Sequence, residues 1–210
     1  PRLVVQSALP QPRAGHRHGI AVPNAWDGVP GVTQEAIAVG KSFTYSFRAI
    51  PAGGGQGGTF FYHSHYDEDR QVGLGLSAPL VIVPPKPATS YAVDRTLMLA
   101  EWNLNPTNGD TRPPMDMEGL LPNYFTINGK SYPDIPTINV KKGQRVRLRF
   151  VGAGQFEHPM HLHGSGFKIV ATDGFPVPPA AQMTQETIPA QHGERSDVRF
   201  VGDNPGRRDV

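Results

Sequence analysis

An all-β fold follows from three features of the sequence. Where apolar residues recur at all, they alternate with polar ones at a period of two. No segment carries a convincing period of 3.6 residues. With 24 glycines and 22 prolines, the chain is also interrupted too often for long helices. A length of 210 residues suits one large domain, or two of about 100 residues that each bury a core.

The chain opens inside a strand pattern at Leu3, Val4 and Val5. A loop at Pro10-Gln11-Pro12 leads to His16-Arg17-His18-Gly19, where two histidines spaced by two share one strand face. Asp27-Gly28-Val29-Pro30-Gly31 reads as a tight turn. Phe43, Tyr45 and Phe47 alternate with Thr44 and Ser46, as in a half-buried strand. After a Gly-rich loop over 51–58, the aromatic run Thr59-Phe60-Phe61-Tyr62 ends in His63-Ser64-His65, and Leu80 to Val83 closes the unit. The stiff Pro84-Pro85-Lys86-Pro87 segment divides the chain into 1–85 and 86–210.

Thr96 to Ala100 is the first strand expected in the second unit. Residues 103–124 are expected to form a long surface loop, with Met115 and Met117 packing against a neighbour rather than binding metal. Ile138 and Val140 precede a Lys141-Lys142-Gly143 turn, after which Val146, Leu148 and Phe150 alternate with Arg145, Arg147 and Arg149. Then comes His158-Pro159-Met160-His161-Leu162-His163-Gly164, followed by strand patterns at Phe167 to Ala171 and Asp197 to Val201. If extended, His161 and His163 leave the same face, roughly 6–7 Å apart along the strand. His158 lies beyond Pro159, which pushes the preceding residue toward extended geometry, and is expected to face a different site.

The two halves repeat one another. Arg2-Leu3 lies 14 residues before His16, as Arg147-Leu148 lies 14 before His161. On that register Ala8 meets Ala153, His18 meets His163 and Gly19 meets Gly164. A one-residue slip aligns Asp27-Gly28-Val29-Pro30 with Asp173-Gly174-Phe175-Pro176, and Gly40 precedes Phe47 as Gly193 precedes Phe200. Position 158 of the second copy is Arg13 in the first, so any site using His158 belongs to the second copy alone. Matching Gly58 to Gly206 places the counterpart of His63 just past Val210, so a fourth His-x-His pair is expected beyond the given residues. The start at Pro1, with no initiator methionine, is read as a processed or cut end.

A net charge of +2 with no basic patch argues against nucleic acid and anionic membrane as partners. The longest apolar run, Ala78 to Val83, is far too short to span a bilayer. The absence of cysteine excludes disulfides, thiolate zinc sites and thiol nucleophiles. Seven of the eight histidines fall in the clusters, and His192, beside Gly193 in a turn, is expected to face solvent. A single His-x-His is often only a polar strand face; three pairs, two of them at equivalent places of the repeat, point to metal. Neutral imidazole suits copper, zinc, iron and nickel, and with no accompanying carboxylate triad the set favours a cluster of several coppers. Asp27 is first a turn residue, and can also stand beside the metals and relay protons.

These motifs resemble the multicopper oxidases, specifically laccase-like enzymes of the two-domain type. The resemblance runs through His16 to Gly19, Val22-Pro23-Asn24, Asp27 to Gly31, Gly58 to His65, Phe125 to Gly129, His158 to Gly164, Ala171 to Gly174 and Gly193 to Gly206. It implies two cupredoxin-like Greek-key β-sandwich domains, the first lacking initial strands and the second lacking its final His-Cys-His segment. By the resemblance His16 and His161 are type 2 copper ligands, and His18, His63, His65 and His163 are type 3 ligands. His158 would be one histidine of the type 1 copper, and Asp27 the acid near type 2. Copper, a small phenolic or aromatic amine substrate, dioxygen, a ring-shaped homotrimer and an extracellular or periplasmic location are likewise implied. A type 1 site needs a thiolate with two histidines, and this chain has no cysteine. The alternatives are a non-catalytic copper-binding β protein with partial sites, and a cupin-type dioxygenase using His63, His65 and Glu68, which leaves the other pairs unexplained.

Overall fold

The computed structural model describes residues 1–51, 57–86, 89–105, 110–112, 122–207 and 209. Alternation in the first half makes five strands: β1 (Arg2–Gln6), β2 (His16–His18), β3 (Ser42–Ser46), β4 (Gly58–His63) and β5 (Ser77–Ile82), with one short helix, α1 (Glu68–Gln71), between the last two. β1 and β3 form one antiparallel pair, and β2, β4 and β5 form a three-stranded sheet. Tyr45, Phe47 and Phe60 fill the space between them together with Ile20 and Ile37.

The second half supplies β6 (Val93–Asn105), β7 (Asp110–Arg112), β8 (Tyr124–Ile127), β9 (Arg145–Gly152), β10 (Met160–His161), β11 (Phe167–Thr172), β12 (Phe175–Pro176), β13 (Thr184–Gln185), β14 (Thr187–Ile188) and β15 (Arg195–Val201). Eight of these join one sheet in the order β12-β11-β15-β9-β6-β7, with β13 on β11 and β8 on β6; β10 and β14 pair separately. β6 and β9 run parallel, and the other pairs are antiparallel. Leu97, Leu99, Val146, Leu148, Phe150, Phe167, Ile188 and Val198 build the core of this half.

The expected loop over 103–124 is corrected in part. β6 continues through Asn103–Asn105, whose backbone pairs with Asp110–Arg112 in a hairpin, and Tyr124 begins β8. Met115 and Met117 lie outside the described residues.

The repeat is visible in the pairing itself. Leu3 stands opposite Tyr45, and the equivalent Leu148 stands opposite Val198. Arg13 and Ile37 exchange both backbone hydrogen bonds, at 3.1 and 2.7 Å; their equivalents His158 and Ala190 do the same at 3.2 and 3.0 Å.

The arginine face of β9 is not a solvated face. Arg149 is buried, and its Nη1 donates to Asp197 at 2.9 Å and to the Thr59 hydroxyl at 2.7 Å. Thr59 in turn donates to Asp197 at 2.6 Å, so a strand of the first half closes an ionic network of the second. Arg149 also donates to Asp94, which is paired with Arg147 as well. Burial opposes ionisation of Asp94, but the two arginines outweigh it and hold the carboxyl at about 2. Burial pushes Asp197 upward, against the pull of Arg149. The halves approach closely at Gly58 and Gly174, where a Cβ on Gly58 would lie 2.2 Å from the Gly174 carbonyl oxygen. Only glycine fits there.

Candidate metal centre

β2 and β4 lie side by side with His16 opposite His63. Because side chains alternate across a strand, His16 and His18 leave one face of β2 while Arg17 is buried on the other, its guanidinium 4.4 Å from the Tyr45 ring centre. One ligand atom from each of His16, His18 and His63 lies within 4.8 Å of the others. His65, just past the end of β4, brings its ring to 5.3 Å from that of His16 and 5.9 Å from that of His63.

His161 and His163 form a second pair with rings 5.0 Å apart. Only His161 belongs to a strand; the chain turns at His163, so the pair is held by a strand end rather than by a full extended segment. Among the described residues neither joins the compact group of three. His158 is likewise outside that group. His192 is exposed, as expected, and its Nδ1 lies 2.6 Å from the Gly154 carbonyl oxygen.

Hydrogen bonds decide which ring nitrogen each histidine can offer. A carbonyl only accepts, so a histidine facing one must carry its proton on that nitrogen. His16 Nδ1 donates to the Asp27 carbonyl at 2.8 Å, His63 Nδ1 to the Ser64 carbonyl at 2.7 Å, and His161 Nδ1 to the Glu186 carbonyl at 2.9 Å. Each therefore presents an Nε2 lone pair. His18 Nε2 lies 2.9 Å from His63 Nε2 and donates to it, a proton that a bound ion would displace. His158 is reversed: its Nε2 is held 2.8 Å from Glu101, leaving Nδ1 free.

Glu101 is a residue that the sequence reading missed. Its side chain is fully buried, and one carboxylate oxygen accepts the backbone N–H groups of Gln155 and Phe156 while the other meets His158. A signal existed. Glu101 falls in phase with the buried Leu97 and Leu99, so a carboxylate occupies a core-facing position and must have partners there. Exposed Phe125 meets the His158 ring edge-on, 6.2 Å away.

Asp27 ends a single 3-10 turn (Asn24–Trp26) and reaches His16 twice, through its carbonyl and through a carboxylate oxygen 3.5 Å from Nδ1. Gly28 allows this approach: its φ is +90°, and a Cβ would lie 2.0 Å from the Gly15 carbonyl oxygen. Among the described residues, a cavity of about 450 Å³ opens beside His161 and Glu186. Another, of about 600 Å³ beside Trp26 and Phe47, lies away from the histidines.

Burial first, then the neighbouring His63 and His16 and the Arg195 cation, push His18 down to about 3; burial also lowers His63. Both rings are thus neutral in the fold at pH values where histidines of the unfolded chain are charged. Between pH 6.5 and about 3 the unfolded state binds more protons, so stability falls as pH drops through that window. Denaturation of metal-free protein at pH 7, 5.5 and 4.5 should show this loss. The His18→Asn variant should show a shallower dependence, and an identical slope would contradict the assignment.

An all-β scaffold that gathers imidazoles from two neighbouring strands has the nitrogen donors that a cupredoxin-like metal site would use. Residues 2–87 and 83–208 each match a multicopper oxidase family profile, and the chain belongs to the multicopper oxidase family. Its sequence is laccase-like. It is 31% identical to Laccase-2 of Cryptococcus neoformans over 92% of this chain and 36% of that protein. It is 35% identical to Laccase-1 of Botryotinia fuckeliana over 78% of this chain and 29% of that one. Among solved structures, the blue copper oxidase of Nitrosomonas europaea superposes with a TM-score of 0.86 at 36% identity, covering 98% of this chain and 64% of the other. The multicopper oxidase mgLAC gives 0.85 at 34% identity, over 99% and 64%. The chain spans about a third of the length of these curated relatives.

Proposed function

We propose that the protein containing this chain is a laccase-like oxidase, coupling one-electron oxidation of phenols or aromatic amines to reduction of dioxygen to water. The orientation of the histidines carries this reading. His16, His63 and His161 are anchored through Nδ1 and offer Nε2, whereas His158 is anchored through Nε2 and offers Nδ1. Two kinds of site are thereby prepared on one scaffold, and neutral imidazole donors fit copper. In this reading His16 and His161 hold type 2 copper, and His18, His63, His65 and His163 hold the type 3 pair. Of the blue-copper donors the chain offers His158.

Bound copper would supply one-electron steps and a binding place for dioxygen. The chain's own residues fix the ligands and move protons. Asp27, with its carboxylate 3.5 Å from His16 Nδ1, is placed to pass protons toward the cluster. Glu101 fixes the tautomer and orientation of His158. Residues 1–85 and 86–210 act as the two domains. The separation of His161 and His163 from the group of three supports a homotrimer, in which the pair of one copy completes the cluster of the next. An extracytoplasmic location accompanies this reading. Among the described residues no helix is long and apolar enough to cross a membrane.

The test is oxygen uptake by the complete, copper-loaded protein with a phenol or aromatic amine, alongside copper stoichiometry. Uptake proportional to bound copper supports the oxidase. Firm copper binding without uptake would replace it with a copper-binding protein.

A further inference from the structure

Glu68, three residues beyond His65, has no part in the oxidase reading above. Its Oε1 lies 3.0 Å from His65 Nδ1. That oxygen is buried and makes no hydrogen bond of full geometry among the described residues, so the close approach to His65 Nδ1 is an ion-pair contact. A carboxylate oxygen can only accept, so at this distance a proton on His65 Nδ1 is favoured; the opposite tautomer would set two lone pairs against each other.

Local architecture holds the two groups in this arrangement. Asp67 adopts a left-handed φ of 48°, which turns the chain back on itself before α1. Glu68 and Gln71 are three apart in α1 and share one face of that turn. Gln71 is buried; its Oε1 accepts from Ser64 Oγ at 2.6 Å and its Nε2 donates to the Pro12 carbonyl at 2.8 Å. The same short helix therefore pins the backbone between His63 and His65 through Gln71, and meets the His65 ring through Glu68.

We propose that Glu68 is a positioning residue: it holds the Nδ1 proton of His65 and aims the Nε2 lone pair at the cluster. The role rests on reading His65 as a cluster ligand. His16, His63 and His161 receive the same constraint from backbone carbonyls, which substitution cannot remove. At His65 the facing group is a charged side chain, and a carboxylate at that nitrogen makes the imidazole more basic. His16 and His161 also meet a side chain at Nδ1, Asp27 at 3.5 Å and Thr187 at 3.1 Å, but each keeps its backbone carbonyl; at His65 the contact is with Glu68.

Long-range proton–nitrogen NMR of the metal-free protein at neutral pH reads the tautomer directly. Wild type should carry the proton on Nδ1 of His65. Glu68→Ala should lose that preference, and Glu68→Gln, which keeps an acceptor oxygen at the same reach, should retain it. Competition with a copper(I) chelator should show Glu68→Ala weakening affinity about 10- to 100-fold, with most of the loss recovered in Glu68→Gln. An Nε2-protonated His65 in wild type, or a tautomer unchanged in Glu68→Ala, would overturn the proposal. A tautomer that follows Glu68 while copper affinity stays constant would instead remove His65 from the ligand set, and the positioning role with it.

Discussion

Replacing His63 by alanine should strip the first-half site of copper and reduce oxygen uptake at least about a hundredfold. Losses of 10- to 100-fold already accompany removal of a residue that merely supports a ligand, and His63 is proposed as a ligand. It is also the structural centre of the group. The side chain is buried, its Nδ1 is anchored on Ser64, and its Nε2 receives His18. His192→Ala is the matched control, since His192 is exposed and hydrogen-bonded to Gly154. Metal analysis of both variants after identical copper loading separates the cases. A full copper complement in His63→Ala would defeat the assignment.

Asp197→Ala should give the largest loss of stability. Asp197 and Arg149 are both nearly inaccessible, and the pair is joined by Thr59 from the other half of the chain. Removing one member of a buried ion pair costs about 3–5 kcal/mol, because the remaining charge keeps its desolvation penalty without its partner. Arg149 retains Asp94, which places the expectation at the lower end of that range. Replacing both Arg149 and Asp197 by apolar residues of similar size should restore much of the loss. Chemical denaturation followed by tryptophan fluorescence measures all three proteins. If Asp197→Ala unfolded like wild type, the network would be a bystander to stability.

Much of this was legible beforehand, for definite reasons. Alternation marks a strand whichever partner it finds, so β1, β3, β4, β9 and β15 were visible in the sequence. The repeat went further and carried register: aligning Leu3 with Leu148 and Phe47 with Phe200 implied equivalent pairings, and Leu3–Tyr45 and Leu148–Val198 are equivalent in the fold. The histidines were legible because imidazoles spaced by two leave one strand face.

What escaped depended on partners distant in sequence. Arg149 reads as the polar phase of a half-exposed strand until Asp94, Asp197 and Thr59 close around it. The parallel pairing of β6 with β9 leaves no local mark, because both strands are ordinary alternating segments. The pairing of Asn103–Asn105 with Asp110–Arg112 sits in a stretch whose composition favours turns. Glu101 is hard to read because a single carboxylate in an apolar strand declares its burial only through partners such as His158, 57 positions away. Glu68 was noticed, but as part of a different metal motif rather than as the restraint on His65.

The matching bridges at Arg13–Ile37 and His158–Ala190 are one backbone slot built twice. The two bridges exchange the same pair of hydrogen bonds, although the intervening chain is longer in the second half. Positions 13 and 158 are equivalent in the repeat, and they hold an arginine in one half and a histidine in the other. The backbone slot is present in both halves, while the imidazole is present in one. Arg13→His would therefore test how far the slot alone leaves the first half ready to hold a metal of its own.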